Sequence, residues 1–530
     1  MEAAWRTPLN PTHVRRPTFL ALAALLCTPG IGYALGATIP QESWIGIFFN
    51  GQKIGYSNSR IATAQFHGKP AYLIRAHSVT QMEMFGNRVT QDIVLKGYTD
   101  RKFSPLYQQY RLTSNGSTLV IEAQYGPHVV ACTVRSGSAV SHKSLRIPPG
   151  ARLLSDSPDS SVASLGAKGR KQTFYYLNPL TLNLDRTVVE VLESKHVMLN
   201  GRGEKVTRYS ATLPFGTMTS WVTDRGELLA AELPMGLAMF RVSRAAALDP
   251  STPPPHLDLP GMPRARLAGY QPPKDFAVAT SVATTTPIQN ARSVRHLEVR
   301  VQGVEDANLI LSDDRQHATT TGKGTYTIHV VAQDFSPDES VHLPVTDPHL
   351  RSYLQKAAYL EVDNPAILQA AQEVKGSNTN AYLVAQAVRR WVHKMMHPDY
   401  TIGVPRSSTD ILKRPRGVCR DYATLFAAVA RAAGVPTRIV AGVIYADGRF
   451  YYHAWDEVWV GRWLPMDATL PTDFVDATHI KFTEGGVPEM FRIAGVIGRL
   501  RMEVVEAEDA PLQGGSGTTP VSQKGGEASK

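Results

Sequence analysis

Apolar and polar residues alternate with a period of two through most of the first half of the chain, from about Thr38 to Ala247, and turn signals cut the alternation at intervals. Ile45 to Phe49 runs into Asn50-Gly51 and returns as Gln52 to Tyr56. Leu106 to Leu112 meets Asn115-Gly116 and returns as Thr118 to Tyr125, and Asp224-Arg225-Gly226 makes a further turn after Trp221. Asn-Gly accepts the positive φ angles of a two-residue hairpin turn, whose twist matches that of the flanking strands. No apolar stripe of helical length interrupts this text, so it predicts one curved antiparallel sheet or an open barrel. Such a sheet serves either as a scaffold or as a concave surface for a lipid, glycan or peptide; no catalytic constellation stands within it.

The pattern changes after Ala247. Prolines at 250, 253–255, 260, 263 and 272–273 mark a semi-rigid, extended linker. Beyond it Leu297 to Val301 and Tyr326 to Val331 alternate as strands and suggest a small β element. Helices are then expected near Pro348, at Asn364-Pro365 (a capping Asn before a first-turn proline) and near Thr379. The last carries Val384, Val388, Trp391 and Met395 as a buried stripe.

The richest chemistry lies further on, in Gly417-Val418-Cys419-Arg420-Asp421-Tyr422-Ala423. From Cys419 an amphipathic helix is predicted, with Tyr422, Leu425/Phe426, Val429 and Ala433 on one stripe, ended by Gly434 and Pro436. A thiol in the first turn of a helix meets unpaired N–H groups and the positive end of the macrodipole, which favour the nucleophilic thiolate and can stabilise an oxyanion. Pro436 to Tyr445 then reads as a strand, Asp447-Gly448 as a hairpin turn and Phe450 to Val460 as the returning strand, on which His453 and Trp455 share a face. Gly461-Arg462 makes a second tight turn, after which Trp463 to Thr469 returns beside the histidine. A simple two-residue turn there would set position 470 opposite His453, so Asp467 reaches it only by a diagonal approach or a bulge. Cys419, His453 and Asp467 are the candidate nucleophile, base and orienting group. Trp455 is either a wall that keeps water from the site or a core tryptophan, and a buried core thiol is the plain alternative for Cys419.

These residues, in the order Cys, His, Asp, resemble the transglutaminase-like superfamily, whose core has the layout of papain-like cysteine proteases. The resemblance rests on the Gly417–Ala423 stretch, Ala433-Gly434-Val435-Pro436-Thr437-Arg438, Ala441-Gly442, His453-Ala454-Trp455-Asp456-Glu457-Val458, Trp463 and Asp467-Ala468-Thr469, with Arg390-Trp391-Val392 and Asp410-Ile411-Leu412 upstream. It covers about the last third of the chain. It implies Cys419 as nucleophile, His453 as general base and acid, and Asp467 as the group that orients the imidazole. The expected reaction is acyl transfer from an amide through a thioester, to water (peptidase or amidase) rather than to an amine (cross-linking). The contrasting reading is a non-catalytic binding or assembly module built on a degenerate copy of the fold.

Composition narrows the partners. The net charge of +10 over 530 residues is dispersed without a Lys/Arg run, which excludes nucleic acid as the expected partner. A protein, peptide or cell-wall amide is the expected substrate. The three cysteines, Cys27, Cys132 and Cys419, make no disulfide framework, and Cys132 alternates with Val130 and Val134 as a small apolar strand residue. His393 and His397 stand at i, i+4, but Lys394 occupies the place where a zinc protease carries its glutamate; neither a metal nor a cofactor is expected. Arg15-Arg16 precede an apolar run from Phe19 to Leu26, followed by small residues at Ala34, Gly36 and Ala37, the organisation of a signal peptide. The protein is therefore expected outside the cytoplasm, in the periplasm, at the cell surface or secreted. The alternative is tethering through an uncleaved N-terminal anchor. The expected order is 1–36 signal peptide, 37–247 β-rich N-terminal domain, 248–280 Pro-rich linker, 281–346 small β element, 347–506 transglutaminase-like catalytic domain and 507–530 disordered tail, an α+β protein with a papain-like core behind an antiparallel domain.

Overall fold

The computed structural model describes residues 41–155, 168–199, 201–214, 216–262 and 275–509. The expected signal peptide, residues 1–36, lies outside the described residues, as does 510–530 of the expected tail. Fourteen strands between Gln41 and Arg241 form one antiparallel sheet, as the alternation predicts. Counted along the chain, their order across it is 8-7-6-5-4-3-2-1-14-13-12-11-10-9. Two hairpin meanders thus run outward from the middle, where the first strand, Gln41–Phe49, pairs with the fourteenth, Leu237–Arg241, Ile45 opposite Arg241. Among the described residues the eighth and ninth strands are the two edges, and the sheet is open between them. The Asn-Gly turns hold as expected, with φ of 49° and 80° at Asn50-Gly51 and 43° and 71° at Asn115-Gly116.

Alternation along each strand divides the sheet into two faces. On Asn87–Thr99 the buried positions are Val89, Gln91, Ile93, Leu95, Gly97 and Thr99. Val89, Ile93, Leu112, Ile121 and Val134 belong to the same hydrophobic cluster as Tyr422, Phe426 and Phe482 of the C-terminal half. Burying each such aliphatic or aromatic side chain contributes about 1.5–3 kcal/mol, so the sheet and the thiol-bearing half share one core. The other face carries a smaller cluster of Phe48, Val206, Trp221 and Leu259. Leu259 comes from the Pro-rich stretch and Leu257 and Met262 pack beside it, with Trp221 Nε1 donating to the Pro260 carbonyl at 2.7 Å, whereas Phe276 and Ala277, near the end of the expected linker, join the large cluster.

In the C-terminal half, helices Pro365–Lys375, Ala381–Met395 and Cys419–Ala432 pack together and against a five-stranded sheet. Asn364 and Asn380 cap the first two, accepting from Ala366 N and Leu383 N at 3.0 Å each. The expected helix near Pro348 is a short 3-10 helix, Pro348–Tyr353. The sheet runs Val282–Ala283, Arg449–Trp459, Thr437–Ala446, Ile480–Gly485, and Trp463–Met466 also pairs with Arg449–Trp459. A separate four-stranded sheet joins Gln316–Gly322, Thr325–Val331 and His296–Gln302 to Arg501–Glu508. Among the described residues no helix is long and apolar enough to cross a membrane.

Candidate active site

Helix Cys419–Ala432 starts at the candidate nucleophile itself. The Asp421 carboxylate folds back to accept from Val418 N at 2.9 Å, which satisfies one of the donors left open at a helix start. Gly417 makes room for it, because a Cβ there would lie 2.5 Å from Asp421 Oδ2. Asp421 is fully buried and paired with Arg406 at 3.2 Å. The expected amphipathic stripe is corrected: every residue from Cys419 to Arg431 is buried, because helices cover one side, the five-stranded sheet another, and the N-terminal sheet closes over the start. Its polar residues are satisfied inside, as when Thr424 Oγ1 donates to the Arg420 carbonyl at 2.7 Å.

The histidine hairpin turns at Asp447-Gly448 as predicted, and Gly442 sits opposite His453 on the neighbouring strand. A Cβ at Gly442 would fall 1.9 Å from the Ile480 carbonyl oxygen and 2.9 Å from the Trp455 ring, so this crossing admits glycine only. The return strand pairs Asp456 with Met466 and Trp459 with Trp463. That register is one residue off the two-residue turn, and pairing stops at Met466. Asp467 leaves the strand and approaches diagonally, placing Oδ2 2.7 Å from His453 Nε2. Its other oxygen accepts from Thr469 N and Thr469 Oγ1, both at 2.7 Å.

Both members of the pair are about 1% exposed. Burial of the His453 ring opposes its charge, but the Asp467 carboxylate and the Cys419 thiol, each acting both as a charge and through a hydrogen bond, push its pKa up to about 10. Burial likewise opposes ionisation of Asp467, and the imidazole charge overrides it to hold the carboxyl well below the usual range. With Nε2 on Asp467, Nδ1 is the ring nitrogen left to serve Cys419. The structure therefore brings the three sequence-predicted residues together. Trp455 is 1% exposed and its ring lies parallel to that of His453, 20° between planes and 6.2 Å between centroids, so it packs on the imidazole as part of the core beside it.

His393 and His397 do not share a helix face, since the helix ends at Met395 and His397 lies in a short bridge beyond it. His393 Nδ1 stands 3.0 Å from the Ala468 carbonyl instead. A cluster of Asp313, Glu457 and Glu484 has the compactness of a cation site, but the Lys481 ammonium occupies it, 2.5 Å from Asp313 Oδ2, 3.0 Å from Glu457 Oε1 and 2.9 Å from Glu484 Oε2.

Sequence reasoning missed a second histidine. His479, fully buried, sets Nε2 3.3 Å from the same Asp467 oxygen that His453 uses. The available signal was a repeat: Asp476-Ala477-Thr478 matches Asp467-Ala468-Thr469, and Asp476 Oδ1 accepts from Thr478 N and Thr478 Oγ1 in the same way. Over the helix start lies the segment around Gly403, sewn to the N-terminal sheet. Gln91 Nε2 donates to Gly403 O at 2.8 Å, Gly403 N to Ser114 Oγ at 3.0 Å, and Ser407 N to Ser136 Oγ at 2.9 Å. Arg420, next to the thiol, holds the same segment from below through the Val404 carbonyl at 2.8 Å.

Residues 368–468, which include the helix, the hairpin and Asp467, match the transglutaminase-like superfamily. This stretch is a transglutaminase-like core. Relatives of the core include an uncharacterized protein of Mycobacterium leprae, 33% identical over 24% of this chain and 47% of that protein. A kyphoscoliosis peptidase of Mus musculus is 32% identical over 18% of this chain and 16% of its own length. A protein-glutamine gamma-glutamyltransferase of Pseudomonas aeruginosa is 32% identical over 20% and 18%. The matched region thus spans half or less of each relative. The transglutaminase-like core and the α+β architecture agree with the sequence expectation, and together they support a thiol enzyme in general.

Proposed function

We propose that the chain is an exported enzyme that transfers an acyl group from an amide to water through a thioester at Cys419. The observation that carries this reading is the 2.7 Å contact from Asp467 to His453 Nε2, which turns the remaining ring nitrogen toward a thiol at a helix start. In the first step the Cys419 sulfur attacks the amide carbonyl carbon, and the carbonyl electron pair moves onto oxygen beside the first-turn N–H groups. His453 then gives its Nδ1 proton to the departing amine, the C–N bond breaks and a thioester remains. Water, deprotonated by His453, attacks the same carbon, the C–S bond breaks, and a carboxylic acid and the free thiolate result. Asp467 keeps its charge throughout and orients the ring.

Hydrolysis is favoured over cross-linking by the shortness of the chain between the triad members: one helix and one hairpin separate Cys419 from His453 and a single turn separates His453 from Asp467, which leaves little chain there for a lid that would keep water from the thioester. The substrate class is a protein, peptide or cell-wall amide, consistent with export. The test offers a small peptide amide with excess primary amine to the purified protein and to its Cys419→Ala variant. The reading requires acid product from the wild type and none from the variant. Predominant amine adduct would replace hydrolysis by cross-linking, and turnover by Cys419→Ala, or a Cys419 inert to an alkylating probe, would remove the thiol mechanism in favour of a binding module.

A further inference from the structure

His479 has no part in the reaction above, yet it stands against the same Asp467 oxygen that orients His453. Its Nε2 faces Asp467 Oδ2 at 3.3 Å, and its Nδ1 faces the Asp476 carbonyl at 3.2 Å and Asp476 Oδ2 at 3.4 Å. All three neighbours are acceptors. A neutral imidazole carries one N–H and one lone pair, so it would turn a lone pair on one of them, at a position with no exposure to water. A proton on each nitrogen satisfies both sides. Two carboxylates flank the resulting charge, and burial with paired charges of opposite sign is the arrangement that tolerates it.

Two guanidinium groups nearby work against that charge, and the Asp467 and Asp476 carboxylates must outweigh them. Arg292 pairs with Asp476 Oδ2 at 3.0 Å, and Arg315 donates to the carbonyls of Asp476 and His479 at 2.7 and 2.6 Å. His453 lies across Asp467, the two imidazole centroids 5.9 Å apart, and Trp455 meets His479 edge-on at 5.3 Å. The titratable and charged groups facing the ring are thus Asp467, Asp476, His453, Arg292 and Arg315.

We propose that His479 is a positioning residue of the thiol site: an imidazolium bracketed by Asp476 and Asp467, it fixes the Asp467 carboxylate against His453 and takes up part of its charge. The inference rests on the thiol reading above. Its chemical sense follows from general acid catalysis, which works best when the acid releases its proton near the working pH. A lone buried carboxylate would hold the His453 proton too firmly for delivery to the leaving amine. A second cation on the same oxygen weakens that hold without removing the orienting bond.

The test compares the pH dependence of Cys419 alkylation by iodoacetamide in the wild type and in His479→Gln. Glutamine keeps an N–H donor for Asp467 and loses the charge. Withdrawing a cation about 6 Å from His453 makes every neighbouring proton harder to release, so both apparent pKa values of the Cys–His pair should move up by about one to two pH units. Unchanged values with merely lower amplitude would show a packing role and overturn the proposal. Nitrogen-15 spectra of Cys419→Ala, in which His479 is untouched, give an answer independent of the variant's folding: two protonated ring nitrogens at neutral pH support the proposal, one overturns it. A wild-type Cys419 that does not alkylate refutes the thiol reading, while the spectra still decide on His479.

Discussion

Asp456 offers a clean test of the site's electrostatics. It is fully buried, and neither carboxyl oxygen has a hydrogen-bond partner among the described residues. Burial, then repulsion from the Asp467 charge, push its pKa well above the usual carboxylate range, and the Arg431 charge only partly opposes them. Asp456 is therefore neutral in the folded protein at pH values where the unfolded chain, with a carboxyl pKa near ~3.9, has already ionised. Over that interval the folded state holds one more proton than the unfolded state, so stability falls as pH rises, by about 1.4 kcal/mol per pH unit at most. The window opens at the unfolded value and closes only when the folded value is passed. Asp456→Asn has nearly the same shape and no titration. Its amide brings an additional buried donor, a penalty of about 1–3 kcal/mol that does not vary with pH. Measured by urea unfolding at pH 5, 6 and 7, the stability of the variant relative to wild type should therefore climb by up to ~2.7 kcal/mol across the series. All other groups are common to both proteins and cancel. A difference that stays flat with pH would refute the assignment of a neutral Asp456.

Three further outcomes are expected. Asp467→Asn should lower turnover by about 10³–10⁴-fold and leave a measurable residue, since Asp467 orients His453 rather than reacting; wild-type rates in this variant would detach Asp467 from the site. Lys481→Met leaves Asp313, Glu457 and Glu484 around an empty centre and should destabilise the fold by about 3–5 kcal/mol in urea unfolding, with a loss under 1 kcal/mol speaking against a paired buried network. Mass spectrometry of native protein should find a new N-terminus between about Thr28 and Thr38; intact Met1 on cytoplasmic protein would contradict export, and intact Met1 on membranes would support the anchor instead.

What could be read from the chain were features settled by near neighbours. Asn50-Gly51, Asn115-Gly116 and Asp447-Gly448 betray their hairpins because few residues accept two successive positive φ angles. The Cys419 helix announces itself by period and by Gly434, and the diagonal reach of Asp467 followed from counting register. Features set by distant pairing were hidden. That the first strand meets the fourteenth depends on two meanders closing. His479 enters the site because Ile480–Gly485 pairs with the far side of Thr437–Ala446, opposite the histidine strand, which no local period records. The nucleophile helix looked amphipathic because its text carries Arg420, Asp421, Thr424 and Arg431; that they are buried depends on partners as remote as Arg406 for Asp421 and Gln355 for Arg431.

The pairing of Ile45 with Arg241 also sets the order of events during synthesis. The strand Gln41–Phe49 finds Gln52–Phe66 as soon as both are made, but its other edge must wait for nearly the whole sheet to be translated, roughly 10–40 s at ordinary elongation rates. Until then the middle of the future sheet is a bare edge that bears Ile45, Ile47 and Phe49, the kind of surface that recruits strands from other chains. The hazard is thus greatest for the unfinished protein. A chain stopped anywhere short of Leu237 would keep that edge permanently and should aggregate, however complete its first eight strands.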